Sequence, residues 1–301
     1  MITFYNAQTQ SFLDGMNRIQ QREAQAQLEL TTGIRINFVS DAPDQISGLL
    51  SVRSDIARNT QIGQNLASVK TETDTAESAV SGAVSLVERA QSLGTEGATD
   101  LVSADTRQQL AQELGSVLTQ HVNTANTTVG GRYIFSGDSD QTQPYSIDLT
   151  QTNPISAYAG TAATRQVESA DGSTFAVAES AQDIFDAPGS NDNVFMAISN
   201  LRSALLNNDS AGVNTALSQV NSADTYLNNQ LAFYGTVQDR VASAINYSSQ
   251  YDTQLKTQLS AIQDADETQS IIDLNQAQTQ QQAALAAEGQ IPRTSLFNFL
   301  G

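Results

Sequence analysis

Between Val213 and Asp266 the chain steps alternately four and three residues through sixteen positions, eleven of them apolar. The row opens Val213, Leu217, Val220, Asp224, passes Leu231, Tyr234 and Val241, and closes Leu259, Ile262, Asp266. No proline interrupts it, and its one glycine after the opening turn, Gly235, lies off the row. A sustained 3.5-residue period keeps a narrow apolar stripe facing a partner helix, which predicts a coiled-coil rod. At 1.5 Å per residue the rod is roughly 80 Å long, so it needs an equally long partner.

The N-terminal half supplies that partner. Ile62, Leu66, Val69, Thr73, Ala76, Val80, Ala83, Val87 and Ala90 keep the same step with one polar member. This predicts a second helix over about 44–93, broken by the stretch from Gly94 to Asp100. A first, shorter helix runs to about Thr31 and ends at Thr32-Gly33, a C-terminal stop signal. In the Ser40-Asp41-Ala42-Pro43 turn that follows, Asp41 is the expected N-cap of the second helix and Pro43 suits its first turn. Ser103 caps a third helix with Leu110, Leu114, Val117, His121 and Ala125 on one face. Beyond the middle of the chain, Asn191 or Asp192 is the expected cap of a return to helix through Val194, Ile198, Leu201 and Leu205. A turn over 207–210 leads into the long rod.

At Gly130-Gly131 the pattern turns to short alternating pieces. Arg132 to Gly137 reads as a strand, Tyr145-Ile147-Leu149 and Ile155–Tyr158 as further pieces, and Asp171-Gly172 as a hairpin turn before Phe175–Val177. The predicted fold is therefore mainly α: a long antiparallel coiled-coil helical bundle formed by the N- and C-terminal halves, with a small β-rich insertion domain. The expected divisions are an N-terminal helix and loop (1–43), the first half of the rod (44–130), the insertion (131–190), the second half of the rod (191–267) and a C-terminal segment (268–301).

Both ends carry apolar faces that one copy would bury poorly. Phe12, Met16, Ile19, Ala26 and Leu30 recur at seam spacing near the start. After Asp266, Ile271, Leu274 and Leu285 are spread through a Gln/Ala-rich stretch, which Gly289 and Pro292 are expected to interrupt. The tail Ser295-Leu296-Phe297-Asn298-Phe299-Leu300 is apolar again. Disordered segments are poor in such residues, so burial in neighbouring copies is expected. The candidate assembly residues are Phe12, Met16, Ile19, Leu30, Leu285, Leu296, Phe297, Phe299 and Leu300.

Composition narrows the function. A net charge of −18 with no basic run argues against binding nucleic acid or an anionic membrane, both of which need clustered Lys and Arg. The absence of cysteine removes disulfides, thiolate metal sites and Cys nucleophiles together. No apolar run approaches the roughly 18 residues that span a bilayer, and the first thirty residues lack the pattern of a cleaved secretory signal.

Candidate chemistry is sparse. His121, the single histidine, falls in an apolar row and is expected to be a buried, hydrogen-bonded core residue. One histidine cannot supply the pair of a zinc-peptidase helix. Asp138-Ser139-Asp140 lacks the turn glycine and distal glutamate of a calcium loop and reads as a solvated turn. Asp224, Asp252 and Asp266 stand on the apolar row, where charge either fixes register or marks gaps facing solvent. No enzyme, cofactor or metal site is expected.

Several runs resemble the bacterial flagellin family. Thr32-Gly33-Ile34-Arg35-Ile36-Asn37 with Ser40-Asp41-Ala42-Pro43 is similar to the loop after its first helix. Asn123-Thr124-Ala125-Asn126-Thr127 and Gly131-Arg132-Tyr133-Ile134-Phe135-Ser136-Gly137-Asp138 are closer to the family's hook–filament junction members than to its filament subunits. Pro144-Tyr145, Asp183-Ile184-Phe185-Asp186 and the closing Ser295–Leu300 run point the same way. The resemblance implies a structural subunit of the extracellular flagellum, joining hook to filament and exported unfolded through the flagellar type III channel. It implies terminal helices lining an inner tube, rods forming a middle shell and an outward insertion. The implied partners are further copies, flagellin, hook-associated protein 1 and an export chaperone. The filament subunit itself is the alternative within the family. A secreted coiled-coil adhesin or secretion-tip protein is the alternative outside it.

Overall fold

In the computed structural model the chain is described over residues 7–99, 101–187 and 193–290. In chain order the elements are α1 (Ala7–Thr32), α2 (Ile46–Ala98), α3 (Ala104–Ala125), β1 (Thr128–Val129), β2 (Arg132–Tyr133), β3 (Gln166–Glu168), β4 (Thr174–Ala176), α4 (Ala181–Phe185), α5 (Val194–Leu206), α6 (Ser210–Gln263) and α7 (Glu267–Gln290). Two compact units result: the described residues of 59–251, and those of 1–58 together with 252–301.

In the larger unit α2 and α6 run antiparallel. Asn59 and Ser248 exchange two 2.9 Å hydrogen bonds, Gln238 Nε2 donates to Asp74 Oδ1 at 3.1 Å, and Gly94 lies against Leu217. All nine predicted row positions of α2, from Ile62 to Ala90, are buried. So are the four apolar row positions of α5 and the whole row of α3, which Ser103 caps by accepting from the Thr106 amide at 3.2 Å. α3 and α5 pack on each other and add to the same core.

Three expectations about the helices of the larger unit change. In α6 the predicted positions Leu217, Asp224, Gln238 and Ile245 are half-buried flanks, whereas Ala216, Ala223, Val237 and Ala244 are fully inside. The stripe is wider than a two-stranded seam because α6 meets several elements at once, and small residues let the backbones approach. Second, α2 runs through Gly94 and Gly97 to Ala98 instead of breaking at Gly94. A Cβ on Gly94 would come within 2.6 Å of Leu217 Cδ2 and 2.9 Å of Leu201 Cδ2, and one on Gly97 would strike Leu205. These glycines make room for leucines of α5 and α6, and packing overrides their weak helix propensity. Third, Asn191 and Asp192 lie outside the described residues, and Asn193 caps α5, its Oδ1 accepting from the Met196 amide at 2.8 Å.

The insertion holds two small antiparallel hairpins. In the first, β1 and β2 are joined by Gly130 and Gly131 at φ 59° and 79°, the pair of left-handed residues that a type I′ turn demands. Gly172 at φ 83° closes the second, as Asp171-Gly172 predicts. The expected strand over 132–137 pairs only at Arg132–Tyr133, because Phe135 turns into the core against Phe185 and Tyr234. The Tyr145 and Ile155 pieces meet in a single bridge, Ile147 to Ile155. Glu72 of α2 ties the insertion down, accepting from Arg132 Nη2 at 2.8 Å and Arg165 Nη1 at 2.5 Å. Buried Arg107 joins the turns of the bundle, donating to Gly97 O, Thr99 O and Asn208 Oδ1.

In the smaller unit, α1 stops where predicted: Gly33, at φ 69°, donates its amide to Glu29 O at 2.8 Å. Asp41 does not cap α2. Its Oδ2 accepts the amides of Asn37 and Phe38 at 3.0 and 2.7 Å, holding the loop, and α2 starts later, at Ile46. The predicted rod through Asp266 is also cut short. α6 ends at Gln263, whose carbonyl accepts the Arg35 amide at 2.8 Å while Arg35 Nη2 donates to Ile262 O at 2.7 Å. With its last carbonyls so satisfied, the helix stops, and Asp266 caps α7 by accepting from the Gln269 amide at 3.1 Å.

Candidate assembly site

α1 and α7 pair along their length, but the seam between them is not built from large apolar side chains. Its deepest points are small residues, Ala26, Ser270 and Ala277, at 3%, 2% and 2% exposure. Around them Ser270 Oγ donates to Glu29 Oε2 at 2.8 Å and Gln25 Nε2 to Glu29 Oε1 at 3.1 Å. A small cavity of about 190 Å³ is walled by Arg22, Asp273, Gln276 and Gln280 together with Gln25, Ala26, Glu29 and Ala277. The large apolar side chains look elsewhere. Leu13, Ile271, Ile272 and Leu285 are 45–56% exposed.

Phe12, Met16, Ile19 and Leu30 are each half-buried, and of the row they predict only Ala26 is fully inside. Leu285 is exposed, and α7 continues through Gly289 to Gln290. Leu296, Phe297, Phe299, Leu300 and Pro292 lie outside the described residues. Sequence reasoning missed the exposed members Leu13, Ile272, Phe38 and Val39. The first two sit one residue off a 4, 3 count, and the last two follow no helical period.

Among the described residues no three acidic or histidine side chains are placed to hold a metal ion. Asp138 accepts from Thr164, and Asp140 pairs with Arg132 at 3.6 Å. Asp252 pairs with Lys256 at 2.7 Å. Asp224 keeps one buried oxygen without a hydrogen bond, and desolvation together with the nearby Glu88 carboxylate raises its pKa. His121 is fully buried with an edge toward the Phe185 ring, as predicted. It is not hydrogen-bonded, however: neither ring nitrogen has a partner. Burial therefore holds it neutral, pushing its pKa down to about 3. Such a group packs, and has nothing to exchange protons with.

What the arrangement defines is a mainly helical protein, with a well-packed bundle and a terminal helix pair that leaves large apolar side chains open to water. Residues 4–140 match the bacterial flagellin N-terminal helical region and residues 217–300 the bacterial flagellin C-terminal helical region, together close to three quarters of the chain. The chain belongs to the bacterial flagellin family. Over 121 residues it is 31% identical to the flagellar hook-associated protein 3 of Escherichia coli K12, a match covering 39% of this chain and 38% of that relative. The matched stretch thus spans under two fifths of the relative's length. Among solved structures, flagellar hook associated protein-3 from Legionella pneumophila shares the fold with a TM-score of 0.62 at 14% identity, over 70% of this chain and 98% of that one. Xanthomonas campestris FlgL does so with a TM-score of 0.59 at 18% identity, over 68% and 98%.

Proposed function

We propose that this chain is a structural subunit of the bacterial flagellum that joins hook to filament, and that it does no chemistry. The observation that carries the reading is the α1–α7 pair, which closes on alanines and polar side chains and leaves Leu13, Ile271, Ile272 and Leu285 open to water. At about 25 cal/mol per Å², covering a few hundred Å² on such a helix contributes several kcal/mol per contact before ordering costs. That suffices for a cooperative tube and not for a stable isolated end. Phe12, Met16, Ile19, Leu30, Leu285 and the tail residues Leu296, Phe297, Phe299 and Leu300 are the side chains assigned to those contacts. The divisions 1–43, 44–130, 131–190, 191–267 and 268–301 then correspond to inner layer, rod, insertion, rod and inner layer.

The junction role is supported by the likeness to hook-associated proteins. Its partners are other copies, flagellin on the filament side and hook-associated protein 1 on the hook side, with an export chaperone before assembly. Its place is the extracellular flagellum, reached through the flagellar type III channel. No helix among the described residues is long and apolar enough to cross a membrane. Deleting the gene should abolish swimming while hooks still form, and immunogold labelling should mark one band where hook meets filament. The match to both flagellin regions favours a second reading, the filament subunit itself. Label along the whole filament, with the protein dominating sheared filaments, would establish that reading and remove the first.

A further inference from the structure

The insertion carries a short strand edge with nothing paired to it. The Asp148 amide donates to Pro154 O at 2.7 Å and the Ser156 amide to Ser146 O at 3.0 Å, one on either side of the Ile147–Ile155 bridge. In that antiparallel register the two isoleucines form a pair without hydrogen bonds, and their own N–H and C=O groups point to opposite outer edges. Ala157, two residues on, points the same way as Ile155. Neither the Ile155 nor the Ala157 amide has a hydrogen-bond partner among the described residues. Proline at 154 costs that edge nothing, because its missing N–H would face inward, toward Asp148.

This edge is one wall of a groove of about 480 Å³, and α5 is the other. Ile155, Ser156 and Ala157 line it, and Ile147 and Asp148 behind them do not. Met196, Ser199 and Ser203 face them from α5 at the three- and four-residue steps of one helical face, and Met196 is 56% exposed. No Lys or Arg lines the groove, and its one charged group is Asp186. That carboxylate accepts from Tyr145 Oη at 3.1 Å and Asn193 Nδ2 at 2.6 Å, both neutral donors.

These features select an occupant. Unpaired backbone groups at strand spacing take an extended backbone, which adds as a further strand. An open methionine opposite takes an apolar side chain, and a carboxylate bonded only by neutral groups takes a cation. A second copy of the insertion is poorly suited, since its own Arg132 and Arg165 are engaged at Glu72. We propose that this groove binds an extended peptide segment of a different protein by strand addition along Ile155–Ala157, with an apolar side chain on Met196 and a Lys or Arg side chain at Asp186. The proposal is independent of the junction reading.

The test uses the whole protein and fluorescently labelled seven-residue peptides of alternating Val and Thr, with a Lys placed at each position in turn. Binding, read by anisotropy at low salt, is expected to be strongest for one Lys position. Met196→Glu should weaken it by about tenfold or more, and Asp186→Asn should remove the preference for that position. Only every second amide of an added strand faces the edge. N-methylation of one alternate set of peptide bonds should therefore abolish binding, and methylation of the other set should leave it unchanged. No binding by any peptide would overturn the proposal, as would equal sensitivity to methylation of the two sets. Self-association of the free protein in sedimentation, lost in Met196→Glu, would make a second copy the occupant and overturn it too.

Discussion

His121 shows how a single side chain can matter without acting. Its two unpartnered nitrogens sit in the core beside Phe185, and each lost hydrogen bond costs about 1–3 kcal/mol relative to water. His121→Leu, which keeps the packing and removes the polar atoms, should raise stability by about 1–3 kcal/mol in urea unfolding at pH 7. Acid should show the cause. With the folded pKa near 3 and the unfolded value 6.5, the unfolded chain binds the proton first. Stability contributed by the neutral ring is complete above pH 6.5 and falls toward pH 3, by up to about 1.4 kcal/mol per pH unit. Glu179 has the opposite sign. Burial, then the Asp183 carboxylate, raises its pKa from 4.5 to about 7, so its contribution is present below 4.5 and lost as pH rises to 7. The two slopes oppose each other between pH 4.5 and 6.5, and His121→Leu should leave that of Glu179 visible. An unchanged pH profile in the variant would refute the assignment. The sequence showed His121 on an apolar row. It could not show that no donor or acceptor would come near, because partners arrive from distant segments.

Among helices, the glycines of α2 separate local preference from packing. Gly82 has open space where its Cβ would go, while Gly94 meets Leu201 and Leu217. Gly82→Ala should therefore stabilise the protein by about 0.5–1 kcal/mol through helix propensity. Gly94→Val should destabilise it by about 1–3 kcal/mol through overpacking. Thermal unfolding of the two variants checks the contrast, and a gain in both would mean the leucines move aside freely. From sequence both glycines look alike, and reading Gly94 as a break followed from that. The nine-position row of α2 was legible because period and burial obey one helical geometry. The alternation within α6 was legible only in part, since which flank becomes fully buried depends on how many neighbours the helix has.

For the molecule as a whole, the larger unit is the better packed. Its clusters join Val80, Leu114, Phe135, Ile198 and Val220 in one continuous core, whereas the cluster described in the smaller unit centres on Ile36, Ala42 and Leu49. Limited proteolysis of the free protein should therefore cut α1 and α7 well before the larger unit, and the same sites should be protected in isolated flagella. Equal resistance of the ends in the free protein would defeat the assembly reading. Sequence alone determined the helical class, the long rows on α2, α3 and α5 and much of that on α6, the Asp171-Gly172 hairpin and the family, because each follows from spacing along one segment. Tertiary structure decided where α6 ends, that Asp41 and Asp266 cap a loop and a new helix, that α1 and α7 meet on alanine, and that Phe38 and Val39 stand in water. Those outcomes depend on which segments lie side by side: a carbonyl is capped, or an apolar face left bare, by residues far away in the chain.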